Sequence, residues 1–179
     1  MFEQARLKIG TSYARFHFGR SRDPIVRFTS VISEARRPLI ILPEKPSEAS
    51  SIENVLKFLT QRYHTSKITT VARKDVVASL PDHRGFNITT FSPEELNPLF
   101  LPRADLLRRL KKSTFDVALD LNVGFALTSC YLCRASAAPL RIGFVKPYAD
   151  SFYNLQVQTG QSGNLTIVYS QLLKCIEMF

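Results

Sequence analysis

The sequence predicts an α/β domain in three layers, with a mostly parallel sheet of about five or six strands between two layers of helices. The first observation is the stretch FDVALDLNVGFALTSCYLCRASAAPLRIGF, Phe115 to Phe144, where an apolar run (Val117, Ala118, Leu119, Leu121) is released by Gly124. A mostly apolar stretch follows, Pro139 stops it, and a second run begins at Leu140. A run apolar on both faces suits a strand covered on both sides, and the residues between the runs are long enough for a crossover helix. The second observation is that PLIILP, a helical stripe and KITTVAR repeat the same βαβ order nearer the amino terminus. The third is size: 179 residues, 45% hydrophobic and 22% charged, give one sizeable core and are too few for two full α/β domains.

Taken in order, Phe2, Ala5, Ile9, Tyr13 and Phe16 recur at three- and four-residue spacing as one face of an amphipathic helix, with Arg6, Lys8 and Arg15 on another face. Gly19 to Pro24 breaks the helix, and Ile25 to Ala35 reads equally as a short helix or an irregular run. Residues 1–37 are therefore a helical extension that precedes the first strand. It packs outside the sheet, docks a partner, or lies on an anionic membrane surface. Residues 38–179 form the Rossmann-like domain.

The first strand is Pro38–Pro43. Ser50 and Glu53 have capping-box spacing, and Ile52, Val55, Leu56, Leu59 and Tyr63 mark the buried stripe of a helix ending near Arg62. Lys67–Arg73 is the next strand, and a short helix over Lys74–Leu80 stops at Pro81. Phe86–Phe91 follows as a strand, after which Ser92, Pro93 and Glu95 supply an N-cap, a first helical residue and a capping-box acid. A helix over Arg103–Lys112 turns Leu106, Leu107 and Leu110 inward. The fourth and fifth strands are Phe115–Leu121 and Leu140–Val145, and the alternation of Tyr153, Leu155 and Val157 suits an edge strand. Gly160–Asn164 reads as a loop, and Val168, Leu172, Leu173 and Ile176 as the inner stripe of a closing helix.

The 24 Lys and Arg against 15 Asp and Glu leave a formal charge of +9, which favours an anionic ligand, a nucleic acid or an acidic membrane face. With no Trp and no basic stripe interleaved with aromatics, nucleic-acid binding is the weakest of these. Cys130 and Cys133 lie inside the predicted crossover helix, so they read as small core residues rather than a redox pair. His17, His64 and His83 have no metal-ligand spacing with the cysteines, and no metal site is expected. Neither a dinucleotide fingerprint nor a phosphate-cradling nucleotide loop occurs, and no cofactor is expected. No run approaches the ~18 apolar residues of a membrane span. No uninterrupted apolar signal segment opens the chain, so the expected location is cytoplasmic, at most peripheral at the inner face of a membrane.

A ligand site in such a fold lies beyond the carboxyl ends of the strands, near a switch in strand order. That rule selects the loops Glu44–Ser51, Phe91–Leu96 and Asp120–Gly124. Asp120 closes its strand at this end, whereas Asp116 opens the same strand and emerges at the other; Asp120 or Asn122 either meets a ligand or caps the following helix. Ser47, Ser50 and Ser51 either cap their helix or hold an oxyanion at its amino end, with Lys45 adding charge.

These residues also carry a resemblance. The segment Phe115–Phe144, in which an apolar strand ends in Asp120 and Arg141, Ile142, Gly143 and Phe144 lead the next strand, resembles the acceptor-side, N-terminal domain of bacterial heptosyltransferase-like glycosyltransferases. The similarity spans roughly Pro38 to Val157. It implies one half of a two-domain, Rossmann-like enzyme whose first domain binds a lipopolysaccharide acceptor and supplies a general-base Asp after its first strand. This chain lacks the Gly-Asp pair of that loop, offers Glu44 or Glu48 instead, and has no donor-binding second domain. The resemblance therefore implies a degenerate single-domain relative without independent catalysis, a binding or assembly protein of envelope polysaccharide synthesis. A transferase subunit completed by a separate donor-binding chain is the alternative. The resemblance implies an anionic glycolipid or polysaccharide precursor as ligand; separately, the apolar stripe of Met1–Phe18 suggests a second copy or another protein as partner.

Overall fold

The computed structural model describes residues 2–21, 23–63, 67–80, 86–160 and 163–178. His64, Pro81, His83 and part of the Gly160–Asn164 loop lie outside them. Six parallel strands form one sheet: β1 (Pro38–Ile41), β2 (Thr69–Arg73), β3 (Asn87–Phe91), β4 (Val117–Asp120), β5 (Leu140–Phe144) and β6 (Leu155–Val157), in the order β3-β2-β1-β4-β5-β6. The order reverses between β1 and β4, whose register places Leu39 opposite Ala118 and Ile41 opposite Asp120. The fold is thus an α/β, Rossmann-like three-layer domain. The edge strand β6 runs parallel to β5, with Gly143 opposite Gln156.

Strand alternation divides the core. Ile40, Leu119, Ile142 and Phe144 face one helical layer, made by α2 (Phe28–Glu34), α4 (Glu53–Arg62) and α8 (Leu165–Glu177). Leu39, Ile41, Val71 and Ala118 face the other, made by α1 (Phe2–Phe18), α6 (Ala104–Leu110) and α7 (Leu127–Ala135). The residues before β1 supply buried groups to both layers, Ala14 from α1 and Ile32 from α2. Ile25–Ala35 therefore resolves as a short helix, and the boundary at residue 37 is one of sequence order, not of core.

Two local expectations are corrected. Ser50 and Glu53 do not form a capping box: the chain turns helical earlier, with Pro46 opening α3 (Pro46–Ala49), and Ser50 sits in a following 3₁₀ turn. Pro46 has no amide hydrogen to leave unpaired in that first turn, and Glu53 pairs instead with Lys57 at 2.7 Å. Ser92 and Glu95 do form their box, with the Ser92 amide donating to Glu95 at 3.1 Å, although the turn they cap is a 3₁₀ turn. The short helix after β2 is α5 (Lys74–Val77).

The packing of α1 was not legible in its aromatic stripe. Its inward face is Leu7, Gly10, Thr11, Ala14 and Phe18, set against α7 and the loop at Leu99, while Phe2, Ile9, Tyr13 and Phe16 face solvent. A Cβ on Gly10 would stand 2.2 Å from the Leu99 carbonyl oxygen and 3.0 Å from Leu127 Cδ2. Gly10→Ala gains about 1 kcal/mol of helix propensity, but a clash with backbone cannot be relieved by a rotamer change. The net expected result is a loss of about 1–3 kcal/mol, seen as faster amide exchange confined to α1 and the Leu99 loop.

Candidate functional site

At the carboxyl ends of β1 and β4 the chain builds two polar constellations, one sealed and one open. The sealed one centres on Asp120, with its side chain fully buried beside Lys146, whose side chain is 2% exposed. Asp120 Oδ1 accepts from the Asn122 amide at 3.0 Å and from Asn122 Nδ2 at 2.7 Å. Its Oδ2 accepts from Lys146 Nζ at 3.0 Å and from the Tyr153 hydroxyl. Lys146 Nζ also donates to the carbonyls of Asn122 at 2.6 Å and Gly124 at 3.4 Å. A buried carboxylate needs this many donors to offset desolvation. Burial is the largest single influence and alone would pull the Lys146 ammonium down, but the Asp120 charge and hydrogen bond, together with the neighbouring thiols, leave its proton held above the ordinary value. Burial, then the Asp120 charge, push the Tyr153 hydroxyl well up. Cys130 lies 3.0 Å from Tyr153 Oη, and burial raises its thiol to about 12, so with the fully buried Cys133 it is a core residue.

Asp120 is thus consumed by protein donors. Neither it nor Asn122 caps α7, whose N-cap is Ala126, because the loop after β4 carries the chain away before the helix starts. Asn122 instead ties the two central loops together: its Nδ2 donates to the Leu42 carbonyl at 3.1 Å and its Oδ1 accepts from the Glu44 amide at 2.8 Å.

The open constellation is a cavity of about 590 Å³ beside this clamp, a size that suits a small ligand. Its walls come from the loops after β1, β2, β3 and β4, and from Glu3, Gln4 and Leu7 of α1. Glu44 is its main chemical group. One carboxylate oxygen, Oε1, accepts from the Ser129 amide at 3.1 Å and from Ser129 Oγ at 2.6 Å. Oε2 has no donor among the described residues. Burial raises the Glu44 proton affinity, the Ser129 hydroxyl opposes it, the Asp120 charge adds to it, and the carboxyl ends above its ordinary value. Phe91, Phe100 and Phe125 give apolar faces, and Arg73 stands at the rim in a two-bond pair with Asp75 at 2.7 and 3.1 Å.

Of the other residues singled out by sequence, Lys45 and Glu48 line the cavity and pair with each other at 3.2 Å. Ser47 and Ser50 are exposed and Ser51 half-buried, and none of the three reaches the cavity. Arg73, Phe100, Phe125, Ser129, Lys146 and Tyr153 escaped sequence reasoning. The strand-end rule would have found Arg73 and Lys146 had it been applied after β2 and β5.

The motif Arg141–Phe144 is architectural. Arg141 and Gly143 face α7, while Ile142 and Phe144 face α8. The Arg141 guanidinium donates to the carbonyls of Phe152 at 2.9 Å and Ala138 at 2.8 Å, and pairs with Asp23 at 2.7 Å. Gly143 leaves room for the Tyr153 ring, whose atoms would lie 2.8 Å from a Cβ. Among the described residues there is no group of His, Cys, Asp and Glu able to hold a metal ion, and no helix is long and apolar enough to cross a membrane. Comparison with protein-family models, with curated proteins and with solved structures finds no match to this chain.

Proposed function

We propose that this chain is a carbohydrate-binding relative of the heptosyltransferase-like acceptor domain, which takes the sugar part of an envelope polysaccharide precursor in the cavity and acts in binding or assembly without transferring a sugar by itself. The observation that carries this reading is Glu44: it stands on the loop after β1 and lines a cavity walled by phenylalanines, with Oε1 fixed by Ser129 and Oε2 without a donor among the described residues. A carboxylate acceptor beside aromatic faces suits a polyhydroxylated ring, which offers O–H donors on its edge and C–H surface on its faces. Among the described residues the two cations that line the cavity each already face a carboxylate, Lys45 that of Glu48 and Arg73 that of Asp75, which disfavours a phosphate inside it. The anionic groups of a precursor would therefore lie outside it.

De-acylated lipopolysaccharide core oligosaccharide is expected to shift the amide resonances of Gly124–Thr128 saturably. Glu44→Ala should abolish the shifts while leaving the thermal transition in place. Binding should also weaken as pH falls through the raised Glu44 value, above its ordinary 4.5, because the protonated carboxyl loses acceptor strength. Resonance changes that ignore the cavity would refute the assignment.

The alternative, a transferase subunit completed by a separate donor-binding chain, is favoured by the same position of Glu44, where a general base would act on an acceptor hydroxyl. The isolated chain is expected to give no specific heat on titration with ADP- or UDP-sugars. A micromolar dissociation constant, about −8 kcal/mol, would show that it holds a donor site of its own. Stable co-purification with a nucleotide-sugar-binding chain would favour the two-chain enzyme.

A further inference from the structure

Helix α1 has two apolar faces, and only one of them is used by the domain. The outward stripe of Phe2, Ile9, Tyr13 and Phe16 keeps between 51% and 88% of its surface exposed. At 3.6 residues per turn and 1.5 Å per residue these positions fall on a single strip about 21 Å long. The basic side chains stand on the other faces of the helix and just past its end, and Arg6 donates to the Pro98 carbonyl and Arg15 to Ser151 Oγ, neutral partners that leave their charge unbalanced. Among the described residues no ion pair includes Arg6, Lys8, Arg15 or Arg20. Arg6 instead stacks over Phe100 at 5.1 Å, Arg15 over Tyr148 at 5.0 Å and Arg20 over Phe16 at 4.6 Å. The acid in the helix, Glu3, lines the cavity on the other side. Phe100 and Tyr148 hold their stacking positions with left-handed backbones, φ 61 and 64, a conformation that bulky residues keep only where their surroundings require it.

We propose that the outer face of α1 docks the protein on an anionic lipid surface, with the aromatic strip entering the boundary between headgroups and acyl chains and the four cations meeting lipid phosphates. An apolar strip flanked by Lys and Arg is the pattern that such a surface binds. A second copy fits less well, because pairing two identical strips brings Arg6, Lys8, Arg15 and Arg20 of each copy together against a single acid of the helix, the exposed Glu3. The inference stands on α1 alone and does not depend on what occupies the cavity.

The chain has no Trp, so Phe16→Trp places a single fluorophore in the strip. Its emission is expected to shift to the blue with vesicles of phosphatidylcholine mixed with phosphatidylglycerol, to stay unshifted with phosphatidylcholine alone, and to revert at high salt. The triple change Phe2→Ser, Ile9→Ser, Phe16→Ser, which leaves the net charge unaltered, is expected to reduce co-sedimentation with the mixed vesicles at least ~10-fold. These side chains are exposed, so the thermal transition should be retained. If the triple variant loses it, Ile9→Asp alone reads the same effect. Absence of a blue shift with mixed vesicles overturns the proposal. So does undiminished co-sedimentation of the triple variant, which would mean binding by net charge only. A concentration-dependent dimer abolished by the triple change, without vesicle binding, would assign the strip to a second copy instead.

Discussion

Lys146→Met is expected to lower the unfolding free energy by about 3–5 kcal/mol, the largest effect of any single change at the strand ends. The ammonium and the Asp120 carboxylate are both almost fully withdrawn from water. Removing the cation leaves a buried charge with only neutral donors, from Asn122 and Tyr153. Methionine keeps the length and apolar stem of the lysine, so the loss reports the charge and not a cavity. Equilibrium denaturation in urea measures it, and the double variant with Asp120→Asn should recover most of the loss, since two neutral groups avoid the unpaired charge. The pH dependence has a defined sign. The Lys146 proton is held more tightly in the folded chain, so its stabilisation is complete below the ordinary value of 10.5 and disappears as pH rises through the raised folded value. Lys146→Met should flatten that alkaline limb. A parent and variant of equal stability at neutral pH would show that the pair is not closed.

Arg141→Leu is expected to cost about 2–4 kcal/mol. Its guanidinium serves two carbonyls, Phe152 and Ala138, in a region where they have no water to turn to, and it reaches Asp23 at 2.7 Å. Burial pushes the Arg141 proton affinity down, with the neighbouring Arg134 charge adding to it and Asp23 opposing. Because Asp23 is 34% exposed, its charge is partly solvated when left behind, which keeps the expected loss below that of Lys146→Met. For Asp23 itself, burial raises the proton affinity, but hydrogen bonds from Arg134 and Arg141 outweigh it and the carboxyl ends below 3.8. Its stabilisation is therefore present above 3.8 and lost as pH falls through the depressed folded value. The variant should accordingly begin acid unfolding less steeply than the parent, because the Arg141 part of that linkage is gone. An acid limb of unchanged slope would show that Arg134 alone holds Asp23.

The alternation of apolar runs and helical stripes was enough to place the strands and their common direction. A run such as Val117–Leu121, apolar on both sides, has no solvent face to offer and must sit inside a sheet covered by helices. The same reasoning put Asp116 and Asp120 at opposite ends of one strand, and Asp116 indeed accepts from the Arg36 and Arg37 amides, at 2.9 and 3.0 Å, at the amino end. The acids after β1 were legible too, because strand ends and loop positions are properties of the sequence once the elements are known.

What the tertiary structure decided was which polar groups are spent and which remain free. Asp120 and Glu44 look alike in sequence, each an acid at the end of a central strand. Lys146 and Tyr153, 26 and 33 residues after Asp120, come back to saturate it, while Ser129 secures only one oxygen of Glu44, a cavity-lining residue, and the other has no donor among the described residues. Likewise the periodicity of α1 marked a stripe of Phe2, Ala5, Ile9, Tyr13 and Phe16, yet the domain packs the opposite face, because Gly10 and Ala14 permit a close backbone approach that the aromatics prevent. Periodicity fixes which residues share a face of a helix. Which face meets the core depends on the shape of the surface it lands on, and that surface is assembled from residues distant in the chain.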